Sequence, residues 1–253
     1  MKDFFKVVTE LQNKPEPFAI ATVVKIVGSS SAKPAAKAII NQVGDVVYGW
    51  VGGGCAEALI REEALKCLAK ETTALIDVQM KAEKLEEGMA CGGEMQVFIE
   101  PIIPQPTLWI FGHNRLAQVL CEFAVTLGFN VNIFDQEADQ AFFSCATKVL
   151  NGRLEDCLSQ MKNIDYVVIA TLHINDSQLL KAILSTTVHH IAVIASRKRA
   201  ALLLETCDKK TLPRIYAPAG LDLGAQTPEE IALSVLSEIV LCRRKGTGQM
   251  LRK

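Results

Sequence analysis

The chain has 253 residues, of which 49% are hydrophobic and 22% are charged, and its formal net charge is −1. This length favours two domains, the apolar content excludes a disordered chain, and the near-zero charge argues against broad nucleic-acid binding. The first residues lack the layout of a signal peptide and no apolar run reaches the roughly 18 residues of a membrane span, which predicts a cytoplasmic protein that binds neither nucleic acid nor membrane.

The first hundred residues predict a compact α+β domain with boundaries 1–103. The stretch DFFKVVTELQ has the apolar spacing of a short helix, and the β-branched run FAIATVVKIV predicts a buried strand. KAIINQVGDVVYGWV predicts two strands around a turn at residues 43–45, and a helix is expected from about Ala56 to Lys70. TTALIDV and EMQVFIEP predict two further strands.

Three prolines, Pro101, Pro104 and Pro106, follow this domain. Because proline lacks a backbone N–H and has a fixed φ, we expect this segment to join neither neighbouring sheet. It is interpreted as an interdomain linker.

From residue 107 to residue 253, strand-like and helical segments alternate. The strand-like segments are TLWIFG, NVNIFD, TKVLN, DYVVIAT and HHIAVIAS. This alternation predicts a doubly wound parallel sheet, so the fold class is α/β, with an N-terminal α+β domain followed by a Rossmann-like domain. Thr227, Pro228 and Glu230 form a capping-box pattern at the start of the last helix.

A strand, a glycine and a helix occur in WIFGHNRLAQVL, where a dinucleotide-binding fingerprint belongs. Gly112 matches its first glycine, but Asn114 stands at the second, where backbone must approach a pyrophosphate. Asp135 ends the next strand, as a ribose-binding carboxylate would. His113 and Arg115 are alternative ligands for an anion at the helix N-terminus. NAD(P) therefore stays an alternative cofactor, and an NAD(P)-dependent oxidoreductase an alternative function.

Two of the eight cysteines have glycine neighbours: Cys55 follows Gly52, Gly53 and Gly54, and Cys91 precedes Gly92 and Gly93. Glycines before a helix can form an anion-binding nest of backbone N–H groups, and the helix dipole favours negative charge on a sulfur placed there. The alternative is that the glycines allow a tight turn and Cys55 is a buried hydrophobic residue.

Other polar residues give weaker indications. Cys91 could face Cys55 if the strand after Cys91 pairs near the strand before Gly52. His173 follows a strand end where α/β sheets bind ligands, and Asp222 lies in a glycine-bounded loop, so both are candidate ligand residues. His189 and His190 are interpreted as surface or edge residues. No catalytic triad or zinc-ligand spacing is evident, so no catalytic residue is assigned.

The sequence resembles the xanthine dehydrogenase accessory factors, the XdhC/CoxI family, over nearly its whole length. The matching segments are ATVVKIVGSS, AKAII, GWVGGGCAEALIREEA, GMACGGEMQVFIEP, IASRKRAALLLE and IYAPAGLDLGAQTPEEIALSVLSEIV. The resemblance implies a chaperone that binds the molybdenum cofactor (molybdopterin), supports its sulfuration with a cysteine desulfurase, and delivers it to a xanthine dehydrogenase-type molybdenum hydroxylase.

With this resemblance, Cys55 and Cys91 become the candidate ligands of the metal or of a transferred sulfur, since a soft thiolate suits both. The remaining cofactor contacts are predicted to come from the glycines beside the two cysteines and from the polar residues at the second domain's strand ends. We expect a homodimer and no enzymatic activity of its own. A scaffold that only docks to the hydroxylase or the desulfurase stays a further alternative.

Overall fold

The computed structural model describes residues 3–12, 14, 16–28, 30–79, 93–171 and 175–252. The chain divides into two compact units, residues 1–104 and 105–253. Within the described ranges, no helix combines the length and the apolarity needed to cross a bilayer.

The first unit contains an antiparallel sheet and two helices. In chain order the elements are α1 (Phe4–Gln12), β1 (Phe18–Val27), β2 (Lys37–Asn41), β3 (Val46–Gly49), α2 (Cys55–Lys70), β4 (Ala74–Gln79) and β5 (Glu94–Ile102). The strands lie in the order β3-β2-β1-β5-β4. The predicted strand pair around residues 43–45 is therefore confirmed as β2 and β3.

Side chains of β1 alternate between two apolar layers, as strand geometry requires. Ala19, Ala21 and Val23 face a cluster that includes Ile60 and Ala64 of α2. Phe18 belongs to a smaller cluster with α1 on the other face. Helix α2 thus lies against β1, β4 and β5, which fixes the position of its first residue.

The proline-rich segment differs from its prediction at one end. Pro101 and Ile102 belong to β5 and pair with Ala19 and Phe18 of β1. Pairing with β4 ends at Ile99, so β5 has only one neighbour at Pro101. The missing N–H of proline is tolerated at such a one-sided position.

The second unit contains a parallel sheet of six strands. In chain order the elements are β6 (Thr107–Phe111), α3 (Arg115–Thr126), β7 (Asn130–Phe134), β8 (Lys148–Leu150), α4 (Leu154–Leu158), β9 (Tyr166–Ile169), α5 (Asp176–Leu184), β10 (His190–Val193), α6 (Arg197–Glu205), β11 (Ile215–Tyr216) and α7 (Pro228–Arg244). The strand order is β11-β10-β9-β6-β7-β8. Counted from β6, this is the 3-2-1-4-5-6 order of the Rossmann fold. The order in which the chain adds strands reverses between β6 and β9, and this place is here called the reversal point.

Apolar clusters cover both faces of this sheet. Leu108 and Ile110 of β6 point towards α3 and α7, and Trp109 and Phe111 point towards the face covered by α5 and α6. Nearly every residue of the four central strands, β10, β9, β6 and β7, is buried, as expected of a parallel sheet between two helical layers. The predicted fold class, α/β with an antiparallel first unit and a Rossmann-like second unit, is confirmed.

Helix α7 begins as its sequence predicts. The Thr227 hydroxyl accepts a hydrogen bond from the Glu230 N–H, and the Glu230 carboxylate accepts one from the Thr227 N–H. This reciprocal pair satisfies donors that a helix start leaves free.

The prediction for His190 was wrong, whereas His189 is exposed as expected. His190 is only 1% exposed and its ring stacks on Tyr216 at a centroid distance of 3.9 Å. His190 Nε2 lies 3.8 Å from Glu238 Oε1, and neither atom has a hydrogen-bond partner in the described structure. Burial lowers the pKa of His190 to about 4 and raises the pKa of Glu238.

Candidate functional site

The segment Gly52–Gly54, here called the glycine turn, joins β3 to α2 through conformations that favour glycine. Gly52 has φ 118° and Gly54 has φ 60° with ψ −130°. A Cβ on Gly52 would lie 3.3 Å from the Met95 Cε atom, whereas a Cβ on Gly54 would meet no atom within 4 Å. The turn therefore packs closely at its first residue and is open at its last.

Cys55 is the first residue of α2 and is exposed. The interpretation of Cys55 as a buried hydrophobic residue is therefore wrong. The first bond of the helix runs from the Ala58 N–H to the Gly54 carbonyl at 3.2 Å, and no side chain caps the helix. Helix geometry leaves the first-turn N–H groups available at such an end, next to the sulfur.

Cys91 and Gly92 lie outside the described residues, and Gly93 is buried just before β5. The strand pairing considered for bringing Cys91 near Cys55 is not formed, because β5 lies between β1 and β4, and β3 is separated from β5 by β2 and β1. The start of β5 reaches the glycine turn in another way, through the Met95 side chain beside Gly52. Among the described side chains, no three His, Cys, Asp or Glu residues form a group that could hold a metal ion.

In the second unit, Gly112 and Asn114 lie at the reversal point between β6 and β9. Gly112 has φ 136°, and a Cβ there would lie 2.5 Å from the Ala170 carbonyl oxygen. Asn114 caps α3: its Oδ1 accepts from the Ala117 N–H at 3.0 Å, and its Nδ2 donates to the Ala170 carbonyl at 2.6 Å. The Asn114 side chain therefore connects α3 to the end of β9, where a dinucleotide pyrophosphate would pass.

A cavity of about 490 Å³, the Asp135 cavity, lies on the β7 side of Asn114. Its walls include Phe111, Phe134 and Leu179, with Asp135 at the end of β7. The Asp135 carboxylate accepts the Glu137 N–H at 3.0 Å. A cavity that combines apolar surface with carboxylate and amide side chains suits a ring that carries hydroxyl groups.

His113 and Arg115 flank Asn114 but have different surroundings. The His113 ring lies against Phe142 and Phe143 at centroid distances of 4.6 and 5.8 Å, and its buried Nε2 has no hydrogen-bond partner in the described structure. The Arg115 guanidinium donates to Glu229 at 2.9 Å and to Gln118 at 2.9 Å. An anion at Arg115 would therefore compete with the Glu229 carboxylate.

A second cavity of about 700 Å³, the Asp222 cavity, lies beyond β9 and β10. Ser196, Arg197 and the loop from Pro218 to Ala225 form much of its wall. Asp222 is exposed, and its carboxylate lies 3.4 Å from the Arg197 guanidinium. Asp222 therefore lies at a cavity wall, whereas the candidate His173 lies outside the described residues.

One polar cluster at this edge was missed by sequence analysis. Asp176, at the start of α5, is 2% exposed and accepts from the Arg199 guanidinium at 3.1 and 3.0 Å. It also accepts a hydrogen bond from the Thr171 hydroxyl. The cluster connects α5 to α6, and nothing in the sequence indicates that residues so far apart would pair.

Replacing Asn114 tests its role at the reversal point. We expect Asn114→Ala to destabilise the second unit by about 1–2 kcal/mol, because the helix cap and the bond to Ala170 are both lost. Asn114→Gly restores the fingerprint glycine and should increase NADH affinity over wild type in a fluorescence titration. Asn163→Ala, at an exposed position, is the control. Micromolar NADH binding by the unaltered protein would contradict this role of Asn114.

Two family models match the chain. Residues 11–79 match the model described as the XdhC and CoxI family, and residues 108–239 match the XdhC Rossmann domain.

Individual relatives extend this match. An uncharacterized protein, YqeB, of Escherichia coli K12 is 28% identical over 99% of this chain and 48% of its own length. A Bacillus subtilis protein, named as a probable subunit of xanthine dehydrogenase, is 32% identical over 59% of this chain and 46% of its own length. The chain thus spans about half the length of these curated relatives. The crystal structure of a xanthine dehydrogenase from Bacillus halodurans shares the fold, with a TM-score of 0.52 and 21% identity over 96% of both chains.

Proposed function

Because this chain belongs to the XdhC and CoxI family, we propose that it is a maturation factor for a xanthine dehydrogenase-type molybdenum hydroxylase. In this role it binds the molybdenum cofactor as cargo, supports its sulfuration and delivers it to the apo-enzyme. The proposal includes a cysteine desulfurase as the source of sulfur and a homodimeric state. The name of the Bacillus subtilis relative supports this class of client.

The observation that carries the proposal is the exposed sulfur of Cys55 at the open end of the glycine turn. The cargo combines a phosphate with a soft metal centre, and the two need different ligands. Backbone N–H groups at the start of α2 suit the phosphate, and the Cys55 sulfur suits molybdenum or a transferred sulfur atom. The residues present at the glycine turn therefore fit the cargo.

The other elements of the first unit keep this end of α2 accessible. Ala56 and Ile60 bury one side of the helix, while Gly53, Gly54 and Cys55 are exposed. The acidic side chain in the first turn is Glu57, which the helix dipole stabilises. Glu57 would repel an anion, so we expect the phosphate to bind on the glycine side of the helix end.

Cys55→Ser tests the proposed role of the sulfur. The variant and the wild type are purified from cells that make the cofactor, and molybdenum and pterin are measured per chain. We expect the variant to retain about tenfold less of both, which corresponds to about 1.4 kcal/mol of lost binding free energy.

Cys145→Ser is the matched control, because Cys145 is also exposed but belongs to the second unit. It should retain as much molybdenum and pterin as the wild type. Equal retention in Cys55→Ser would remove this sulfur from cofactor binding, and a docking scaffold would then be the better explanation of family membership.

A further inference from the structure

Two cysteines of the second unit are in direct contact. Cys121 Sγ of α3 lies 3.3 Å from Cys145 Sγ, although the residues are 24 positions apart. Cys121 is fully buried, and Cys145 is exposed on the turn segment 139–146. We propose that these residues form a reversible disulfide, and that the pair is a redox modification site that fastens this segment to α3.

The geometry suits such a bond. A disulfide joins two sulfurs at about 2.05 Å, so the atoms must approach by little more than 1 Å. The two sulfurs belong to separate elements, α3 and the turn segment, and are already in contact. An oxidant in solvent can reach the exposed Cys145 sulfur. The buried Cys121 sulfur lies in contact with it and can complete the bond.

The reaction balances with hydrogen peroxide as the oxidant. Peroxide oxidises the Cys145 thiol to a sulfenic acid and releases one water. The Cys121 sulfur then attacks the Cys145 sulfur, the S–O bond breaks, and the hydroxide leaves with the Cys121 proton as a second water. Two thiols lose two electrons in total, and the peroxide gains them.

The environment favours this order of events. Burial, together with the hydrogen bond to Cys145, raises the pKa of Cys121. Cys121 is therefore a buried thiol that does not meet peroxide first, and its proton passes to the leaving hydroxide as its sulfur attacks Cys145. Attack begins at the sulfur that solvent reaches.

The segment that the disulfide would fasten supports the Asp135 cavity. Phe142 and Phe143 of the segment lie against the His113 ring, which is part of the cavity wall. In the reduced protein the segment is held to α3 by a hydrogen bond from the Gln118 amide to the Phe142 carbonyl at 3.2 Å. Oxidation would add a covalent connection beside it, and so fix one wall of the cavity.

The test uses the full chain, treated with hydrogen peroxide or with dithiothreitol. Trypsin cleaves after Arg115 and Lys148 and leaves both cysteines in one peptide. Added cleavage after Glu122 and Glu137 separates the cysteines into two fragments, unless a disulfide joins them. Mass spectrometry without reduction should find the joined fragments after peroxide and the separate fragments after dithiothreitol.

Variants make the assignment specific. Cys145→Ser should abolish the joined fragments, and Cys157→Ser, which removes a buried thiol elsewhere, should keep them. The oxidised wild type should melt about 5 °C or more above the reduced protein, and Cys145→Ser should lose this difference. The proposal is overturned if peroxide converts Cys145 to sulfinic acid or to a disulfide with another cysteine while Cys121 stays a free thiol.

Discussion

Gly112→Ala is expected to destabilise the second unit by about 3 kcal/mol or more. The new Cβ would lie 2.5 Å from the Ala170 carbonyl oxygen and 2.9 Å from its carbon. Both are backbone atoms, so no side-chain rotation can relieve the contact, and the end of β9 must move away from β6. The φ of 136° adds strain that glycine alone avoids.

The measurement is urea unfolding followed by the fluorescence of Trp109, which is 2% exposed in the second unit. A Trp50→Phe background leaves Trp109 as the only tryptophan, so the signal reports this unit alone.

Substitutions at two other glycines separate the effect of the contact with Ala170 from the effect of the positive φ. Gly128 has φ 82° with no atom within 4 Å of a built Cβ, so Gly128→Ala should cost about 1 kcal/mol for strain alone. Gly152→Ala, with neither feature, should change little. Equal effects of Gly112→Ala and Gly128→Ala would contradict a destabilising contact between the new Cβ and Ala170.

His190 should cause a loss of stability in mild acid. Its pKa is lowered from 6.5 to about 4 in the folded protein, mainly by burial. The contribution is fully present above pH 6.5 and is lost as the pH falls towards 4, because only the unfolded chain takes up the proton in this range. The full effect is about 3 kcal/mol. The measurement is urea unfolding in the same background, at several pH values from 4 to 7.

Glu238 acts in the opposite direction. Its pKa is raised above 4.5 by burial, so its contribution is fully present below pH 4.5 and is lost as the pH rises through the folded-state pKa. The two slopes oppose each other above pH 4.5, up to the folded-state pKa of Glu238 or 6.5, whichever is lower, and the wild-type profile is their sum. The other titratable groups beside His190 are Tyr166, Tyr216 and exposed His189.

Two variants separate these contributions. His190→Phe retains a ring against Tyr216 and should remove most of the acid-side loss. Glu238→Gln retains an acceptor for the Gly220 N–H, which Glu238 Oε2 accepts at 2.9 Å, and should make the acid-side loss steeper. A His190→Phe profile parallel to that of the wild type would contradict the assignment.

Features with a local cause were predictable from the sequence. The start of α7 follows from Thr227 and Glu230, because a capping box needs only residues three positions apart. The strand and helix alternation of the second unit likewise determines its sheet. Cys55 could be selected as a candidate because the glycines before it are adjacent in sequence.

Features that depend on contacts between distant segments were not predictable. His190 follows an exposed histidine and begins a strand, but residues of other elements, Tyr166, Tyr216 and Glu238, lie against its ring. The contact between Cys121 and Cys145 depends on how the turn segment folds back onto α3. Pro101 can lie in β5 because β4 begins only at Ala74, opposite Ile99, and no pattern around the proline indicates where β4 begins.

The hydrogen bond between Asn114 and Ala170 has a consequence for the binding of any elongated ligand. Asn114 lines the Asp135 cavity and Ala170 lines the Asp222 cavity, so this hydrogen bond lies between the two cavities, and a small molecule can occupy either one without breaking it. A molecule long enough to occupy both must first displace the amide from α3 and from β9. Loss of the helix cap alone costs about 1 kcal/mol. The wild type should therefore bind such a ligand about five- to tenfold more weakly than a variant with glycine at position 114.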